Sequence, residues 1–409
     1  MMDRWQKKTA GARNTRCDGR AVLRQKGEHK NLMQDDNNTK SVDCKEPETI
    51  RKELDDKFKP KKEQGLLLSD SYRRLELDKR AVKVMECGTF LEWRLYENGD
   101  QRLNHANFCK DRLCPMCSWR RSLKVFGQLS KVMEVLRELY QFVFLTLSMK
   151  NCTAEELSQA ISALLGAWDR FSRTVPFKNA FEGFFRALEV TRDTDPIITP
   201  LMWYGSKKSH RKPKAAYYQN QGLSIGDPNP TFDTYNAHLH VITAVLPSYF
   251  KKGDYISQQQ MIQLWRRACK VDYDPTAHIQ KITQKGLKDV SEIDMSAAIA
   301  EVAKYSVKSR DFIVKDRFGN VVEDITDSGV LAFLRGLTGR RLYSYGGCFK
   351  KAAAELGITD KLDDDLVNTE TGEVLAPELS YMILQYSWMM GCYNLVSKER
   401  HMNIDIVPD

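Results

Sequence analysis

The sequence lacks the features of a membrane-inserted or secreted protein. It contains no run of eighteen apolar residues and therefore predicts no membrane-spanning segment. The N-terminus has no apolar h-region of the kind found in signal peptides, so we expect a cytoplasmic protein. With 409 residues, of which 42% are hydrophobic, the chain can form two domains or one domain with extensions. Its formal charge of +9 favours a polyanionic partner.

The first 65 residues are poor in aromatic side chains, with only Trp5 and Phe58. Lys and Arg outnumber Asp and Glu in this segment, and it has little apolar surface to offset the entropy cost of ordering. We therefore predict that residues 1–65 form a largely disordered basic extension, with at most a helical turn near 50–58. The extension either adds nonspecific affinity for DNA or is a solvated tail.

Three of the ten cysteines cluster within nine residues: Cys109, Cys114 and Cys117. In a reducing compartment such spacing is more typical of metal binding than of disulfides. Cys87 supplies a fourth thiolate for tetrahedral structural Zn²⁺, with His105 as the alternative ligand. The other interpretation is that these cysteines are buried thiols. Residues 66–135 are thus predicted to form a cysteine-rich zinc-binding and DNA-binding module.

Directly after the cysteines come Trp119, Arg120 and Arg121. An indole ring can stack on a base, and two guanidinium groups can pair with phosphates. We predict that these three side chains bind DNA.

The region 136–315 alternates strand and helix signals in the order β-α-β-β-α-β-α. This order predicts an α+β fold with a central antiparallel sheet of split βαβ, ferredoxin-like topology and helices on one face. Residues 316–409 are predicted to form a C-terminal helical extension. The predicted strands span 142–148, 184–190, 237–245 and 277–282, and the predicted helices span 153–173, 257–269 and 291–308.

Two histidines, His238 and His240, lie one residue apart in an apolar strand. Residues i and i+2 of a strand point to the same face, so both imidazoles can bind one metal ion. Glu189, near the end of the preceding strand, is our choice for a third ligand, although it is equally well explained as a surface carboxylate. Asn236 is the weaker choice.

Tyr305 is the predicted nucleophile of metal-assisted phosphoryl transfer. In a helix over 291–308, Glu301 would lie one turn before it on the same face, with Lys304 adjacent and Lys308 one turn later. The lysines would bind DNA phosphate and stabilise developing charge, and Glu301 would activate a water for a second step. Alternatively, the charged residues form a solvated helix face and the tyrosine is part of the core.

The order of these motifs resembles a known family. The apolar strand Phe144–Leu147, then His238-Leu239-His240, then Glu301-Val302-Ala303-Lys304-Tyr305 are similar to the rolling-circle replication initiators of small bacterial plasmids, which are single-tyrosine members of the HUH endonuclease superfamily. The resemblance covers about two-thirds of the chain, from Cys87 to Leu356. It extends to 109–121, 186–191 and 341–347.

The resemblance implies that the histidine pair holds Mn²⁺ or Mg²⁺ and that Tyr305 nicks one strand at a plasmid double-strand origin. The enzyme would stay on the 5′ phosphate, while the free 3′ hydroxyl primes synthesis by a host DNA polymerase. Glu301 occupies the position of the carboxylate that promotes the terminating cleavage. Asn236 stands where some relatives have a third histidine, so the third metal ligand stays open.

The implied partners are origin DNA with a hairpin and a single-stranded nick site, a host helicase and the polymerase, in the bacterial cytoplasm and without a membrane. The sequence does not decide between a monomer and a homodimer. One alternative with the same chemistry is an HUH transposase or mobilisation relaxase. An alternative from another class is a non-catalytic zinc-ribbon DNA-binding regulator.

Overall fold

In a computed structural model the chain is described over residues 47–205, 213–251, 255–283, 292–304, 306–316, 318–358 and 380–401. The strands are β1 Phe90–Tyr96, β2 Gln101–Ala106, β3 Gln141–Ser148, β4 Gly183–Arg192, β5 Tyr235–Val245, β6 Ala277–Thr283, β7 Glu292–Asp294, β8 Tyr343–Gly347, β9 Tyr381–Met389 and β10 Cys392–His401. The helices are α1 Glu48–Glu53, α2 Lys59–Arg74, α3 Asp78–Glu86, α4 Pro115–Leu136, α5 Leu157–Ser172, α6 Val175–Ala180, α7 Pro200–Tyr204, α8 Ala215–Gln219, α9 Gln258–Cys269, α10 Met295–Val302, α11 Glu323–Leu337 and α12 Cys348–Glu355. Among the described residues, no helix is both long and apolar enough to cross a membrane.

The larger of two sheets has six strands in the order β7-β6-β3-β5-β4-β8. The β6–β7 pair is parallel and the other pairs are antiparallel, so the predicted α+β class is confirmed. Its central strands are apolar on both faces. In β5, for example, the five consecutive residues Val241–Val245 are all buried, and successive side chains of a strand point to opposite faces.

Helices therefore cover both faces of this sheet, and the prediction of helices on one face was wrong. On one face, Trp168 of α5 packs edge-on against Phe184, with ring centroids 4.9 Å apart. On the opposite face, Phe349 of α12 packs against Phe142 at 6.0 Å. Because β3 and β5 are continuous apolar runs, they need a cover on each side.

Two helices that pack together, α5 and α9, start at local capping signals. Before α5, the backbone N–H of Thr153 donates to Glu156 Oε2 at 3.0 Å, and the N–H of Glu156 donates to Thr153 Oγ1 at 3.4 Å. Before α9, Ser257 and Gln260 form the same reciprocal pair. Each pair satisfies N–H groups that the first helical turn leaves free.

The helix predicted over 291–308 is shorter than expected. Residues Glu292–Asp294 form β7, and α10 spans only Met295–Val302. Asp294 begins this helix, because its carboxylate accepts hydrogen bonds from the N–H groups of Ser296 and Ala297. The chain then leaves the helix, so Glu301 and Lys308 are not on one helical face. A separate 3-10 turn follows at Ser309–Asp311.

Residues 1–46 lie outside the described part of the chain. The helical turn predicted near 50–58 is present, but the predicted disorder was wrong for the other described residues of the segment, because helix continues into α2. A π-helical turn at Leu54–Phe58 joins α1 to α2. Ile50, Leu54 and Phe58 are fully buried. They recur every four residues and form one apolar stripe, which an average over the whole 65-residue segment conceals.

The C-terminal region is not the predicted helical extension. It contains α11 and α12, but β8 pairs with β4 at the edge of the larger sheet. Strands β9 and β10 join β1 and β2 in a second, four-stranded antiparallel sheet of order β10-β9-β1-β2. Strands from the C-terminal region therefore complete the sheet of the cysteine-rich module.

Candidate active site and cysteine cluster

His238 and His240 lie on neighbouring same-face positions of β5, as their spacing predicted. The register of the adjacent strand places Glu189 of β4 directly opposite His238. Glu189 Oε2 is 3.2 Å from His238 Nε2 and 3.0 Å from His240 Nε2. The structure thus brings the two histidines and the carboxylate together, with one donor atom from each within 4.8 Å of the others.

The surroundings fix the orientation of both imidazole rings. The ring of His240 stacks on Phe144 at a centroid distance of 5.6 Å, and its Nδ1 lies 3.4 Å from Thr146 Oγ1. The Nδ1 atom of His238 lies 3.3 Å from the carbonyl oxygen of Asn236. The Nε2 atoms of both rings therefore face Glu189. Two imidazole nitrogens and a carboxylate oxygen form a set that can hold a divalent cation with positions left for other ligands.

The side chain of Asn236 is not part of this set. Its amide nitrogen donates to the carbonyl of Met149 at 3.3 Å and to Asn151 Oδ1 at 2.9 Å.

Glu189 is 95% buried, yet it is held as a carboxylate. Burial alone would raise its pKa, but hydrogen bonds from His238 and His240 and the charge of Lys308 hold the pKa well below its ordinary value. Lys308 Nζ is 2.7 Å from Glu189 Oε1. Burial lowers the pKa of His240, against the opposing effect of Glu189. A buried carboxylate next to neutral imidazole is a favourable state for binding a cation.

Glu301 and Lys304 border the same site. Glu301 Oε1 is 3.7 Å from His240 Nε2, and its other oxygen forms an ion pair with Lys304. Tyr305 itself lies outside the described residues. Its two neighbours are both fixed by hydrogen bonds: the carbonyl of Lys304 accepts from Tyr343 Oη at 3.2 Å, and the carbonyl of Ser306 accepts from the N–H of Val190, next to Glu189, at 2.8 Å.

The four predicted cysteines converge in a second cluster. The Sγ atom of Cys87 lies 3.5 Å from that of Cys117 and 3.6 Å from that of Cys114, and Cys109 Sγ lies 3.6 Å from Cys117 Sγ. A tetrahedral zinc ion with Zn–S bonds of about 2.3 Å sets its sulfurs about 3.8 Å apart, so the thiols fit such an ion. Burial raises the pKa of the Cys114 thiol well above its ordinary value, which means that a thiolate there needs a compensating cation. The alternative ligand His105 is exposed on β2 and is not among these ligands.

Comparison with known proteins identifies the family. A family model described as "Replication protein" matches residues 100–394. The chain belongs to this family of replication proteins. The predicted resemblance to plasmid rolling-circle replication initiators is thereby confirmed.

Individual relatives cover most of this replication protein. A "Protein rep" of Bacillus amyloliquefaciens is 30% identical over 359 residues, which cover 83% of this chain and 94% of the relative. The "Protein rep" of Lentilactobacillus hilgardii is 32% identical over 318 residues, which cover 75% of this chain and 85% of the relative. That of Streptococcus pneumoniae is 32% identical over 323 residues, which cover 77% of this chain and 84% of the relative. No solved structure matches the chain.

The three side chains predicted to bind DNA after the cysteines are buried. Trp119 is 9% exposed and packs edge-on against Phe58 at 4.9 Å, while Arg120 and Arg121 are each 4% exposed. Residues at the start of α4 face the cysteine cluster and the N-terminal helices, which were not expected to be folded. The prediction of a base-stacking surface at 119–121 was therefore wrong for the folded protein.

One contact beside the cysteines was missed by the sequence reasoning. Lys62, on α2, is 2% exposed, and its Nζ donates to the carbonyls of Cys87, at 2.9 Å, and of Met85. Burial lowers the pKa of Lys62. A lysine among many in a basic segment gives no local signal for such a position.

Proposed function

We propose that this replication protein initiates rolling-circle replication of a plasmid by nicking and joining one DNA strand at the double-strand origin. The observation that supports this most directly is the convergence of Glu189, His238 and His240 beside the chain that leads into Tyr305. Tyr305 follows Lys304 directly in sequence, and the residues on both sides of it are fixed to strands that border the site.

Glu189, His238 and His240 would hold the catalytic Mn²⁺ or Mg²⁺. When bound there, the ion polarises the scissile phosphate as a Lewis acid. The donor set fits this role, since three protein ligands leave coordination positions for phosphate oxygens. Phe144 and Thr146 keep the His240 ring in place for this purpose.

In the nicking step, the hydroxyl oxygen of Tyr305 forms a bond to the scissile phosphorus while the bond from phosphorus to the 3′ oxygen breaks. The phenol loses its proton and the departing 3′ oxygen gains one. The product is a 5′-phosphotyrosine and a free 3′ hydroxyl that can prime synthesis. Because the phosphotyrosine conserves the ester bond, attack by a 3′ hydroxyl reverses the step and joins DNA.

Lys304 and Lys308 would supply positive charge for the phosphate. Each is engaged by a carboxylate of the site, Lys304 with Glu301 and Lys308 with Glu189. A cation held close to the reacting phosphate stabilises the charge that develops in the transition state.

Glu301 is our choice for the base of the terminating step. Its side chain is 31% exposed, so solvent or a second DNA end can reach it. It lies on the His240 side of the site rather than among the three closest ligands. A carboxylate in this position can activate a water or a hydroxyl as nucleophile after replication is complete.

We also infer the split βαβ topology of the nicking domain. Within the larger sheet, β6-β3-β5-β4 are antiparallel neighbours. Along the chain the order is β3, α5, β4, β5, α9 and β6, with the short helices α6, α7 and α8 inserted before and after β4. This arrangement supports a ferredoxin-like, HUH-type core. Cys87, Cys109, Cys114 and Cys117 would hold a structural Zn²⁺ in the attached module.

Relaxation of a supercoiled plasmid tests the proposal. The purified protein with Mn²⁺ should relax a plasmid that carries its own origin and leave the same plasmid without the origin intact. Tyr305→Phe should abolish relaxation and keep origin binding, whereas Tyr255→Phe, an exposed tyrosine elsewhere, should not change it. Relaxation without the origin would favour a transposase or relaxase. No relaxation by the wild type would favour the non-catalytic regulator.

A further inference from the structure

We propose that a cationic cleft beside the cysteine cluster binds the phosphate backbone of double-stranded origin DNA. The cationic cleft is lined by Lys79, Arg80, Lys83, Cys109, Lys110 and Asp111 and has a volume of about 280 Å³. A second cavity of about 230 Å³ shares Arg80, Lys110 and Asp111 with it, so the two cavities adjoin. The inference rests on the proposed function and adds to it a surface for the duplex.

The cleft has a surplus of positive charge. Lys79 and Lys83 are exposed and lie four residues apart on the same side of α3. Within the described part of the chain, neither lysine forms an ion pair with a carboxylate. Among the described residues of the lining, Arg80 and Lys110 bring the number of cations to four, against one acid, Asp111.

Asp111 does not neutralise the lysines, because its carboxylate is already engaged by other groups. It accepts from Tyr72 Oη at 3.0 Å, from Arg80 Nη1 at 2.6 Å and from the N–H of Leu113 at 2.9 Å. These bonds join α2 and α3 to the loop that holds the cysteines. Arg80 is thereby fixed at the cleft, and Lys79 and Lys83 remain available to an anion.

The cysteine cluster fixes the opposite wall of the cleft. Lys110 has a left-handed backbone conformation, with φ of 59°, and its N–H donates to Cys117 Sγ at 3.2 Å. A non-glycine residue adopts this conformation at an energetic cost, which the bond to sulfur offsets. The bond therefore fixes the backbone of Lys110, and with it the point from which its side chain extends, at the edge of the cleft.

The chemistry of the lining favours duplex DNA over a single strand. Proteins that bind single strands stack exposed aromatic rings on the bases. The lining of the larger cavity, as far as the structure describes it, contains no aromatic residue, and Phe333, in the adjoining cavity, is fully buried. Lysines and an arginine without a stacking ring match the phosphate contacts that anchor a double helix.

The cleft and the nicking site are parts of one packed unit. On α2, which leads into α3, Gln64 Oε1 accepts a hydrogen bond of 2.8 Å from Ser309 Oγ. Ser309 follows Lys308, the residue that pairs with Glu189. A duplex held at α3 would therefore be fixed relative to the strand that enters the nicking site.

The test compares two triple variants of the full chain with the wild type. Lys79→Gln/Lys83→Gln/Lys110→Gln removes three charges from the cleft, and Lys178→Gln/Lys350→Gln/Lys351→Gln removes three exposed charges elsewhere. Fluorescence anisotropy measures binding to a 30-base-pair duplex from the plasmid origin, to a 30-nucleotide oligo-dT and to poly-glutamate over a range of salt concentrations. Melting temperature and zinc content confirm that each variant is folded.

We expect the cleft variant to lose at least about tenfold in duplex affinity and to lower the slope of log affinity against log salt by about two to three. The control variant should lose much less. The proposal would be overturned if both variants lost duplex affinity equally, or if the cleft variant kept its duplex affinity. It would also be overturned if the cleft variant lost as much affinity for oligo-dT as for the duplex, or if poly-glutamate bound as tightly as the duplex.

Nicking of single-stranded origin oligonucleotides separates this proposal from the proposed function. The cleft variant should still nick them at the wild-type rate. If the wild type fails to nick, the proposed function fails, while the duplex measurements still decide the role of the cleft.

Discussion

At the scale of single residues, Glu189 joins the two histidines of the proposed active site to Lys308. One of its oxygens contacts both histidines and the other contacts Lys308. Such a carboxylate is costly to bury unless its partners compensate for the lost hydration. In the absence of a metal ion, the lysine and the imidazoles provide that compensation.

Glu189→Gln tests whether this carboxylate is a metal ligand or only a structural group. Glutamine keeps the shape but not the charge, so we expect Mn²⁺ affinity, measured by isothermal titration calorimetry, to fall at least about tenfold. Glu182→Gln, an exposed carboxylate just before the same strand, should bind Mn²⁺ as the wild type does. Unchanged Mn²⁺ binding in Glu189→Gln would remove Glu189 from the ligand set.

Glu301→Ala separates the first cleavage from the second. Glu301 is partly exposed at the end of α10, and alanine is a good helix former, so the fold should persist. We expect the initial nicking rate to stay within about twofold, while the phosphotyrosine product persists and multimeric single strands accumulate in cells. Glu355→Ala, an exposed helical glutamate elsewhere, is the control. A variant that cannot nick at all would show that Glu301 acts in the first step.

The residues of the site were predictable where their spacing follows the two-residue repeat of a β-strand. His238, His240 and Glu189 sit on one face because side chains alternate, and the sequence contains that alternation. The ion pair of Lys308 with Glu189 was not predictable from the sequence. It depends on the chain leaving α10 at Val302, and no glycine or proline marks that point.

At the scale of elements, the N-terminal helices show how a sparse apolar stripe builds structure. Phe58 is fully buried against the rings of Trp93, at 5.9 Å, and Trp119, at 4.9 Å. Composition predicted disorder here because it averages over the polar faces of α1 and α2. The four strands β3, β4, β5 and β6 of the larger sheet were predicted, since their apolar runs can be recognised without a distant partner. Its edge strands β7 and β8 were not predicted.

Phe58→Ala should destabilise the protein by about 3–5 kcal/mol, because it removes a large ring from a packed position and leaves a cavity. Chemical denaturation followed by circular dichroism measures this change. Phe318→Ala provides a matched control, since Phe318 is 74% exposed and its loss should cost no more than about 0.5 kcal/mol. Equal effects of the two substitutions would mean that the N-terminal helices do not pack on the cysteine-rich module.

At the scale of the whole molecule, the two sheets are built from segments far apart in the sequence. β9 pairs with β1 across nearly 300 residues, and β8 completes the larger sheet from beyond the predicted nicking domain. Such pairings have no local signal, which is why the C-terminal region was predicted as a helical extension. The four cysteines lie where the N-terminal helices, β1 and α4 meet, so a metal ion there would hold the module together.

Removal of the proposed Zn²⁺ should destabilise the whole cysteine-rich module. We expect about one Zn²⁺ per chain by mass spectrometry of metals, and Cys114→Ser should lower both the zinc content and the melting temperature. Cys152→Ser, outside the cluster, should retain its zinc. A purified protein that contains no zinc and melts as sharply after treatment with a chelator would show that the cysteines are buried thiols.

The most direct test of the central claim is the covalent complex between protein and DNA. Single-stranded oligonucleotides tiled across the plasmid origin, incubated with the wild-type protein and Mn²⁺, should yield one adduct. Protease digestion and mass spectrometry should locate a 5′-phosphate ester on Tyr305. An adduct on any other residue, or none with any oligonucleotide, would contradict the account.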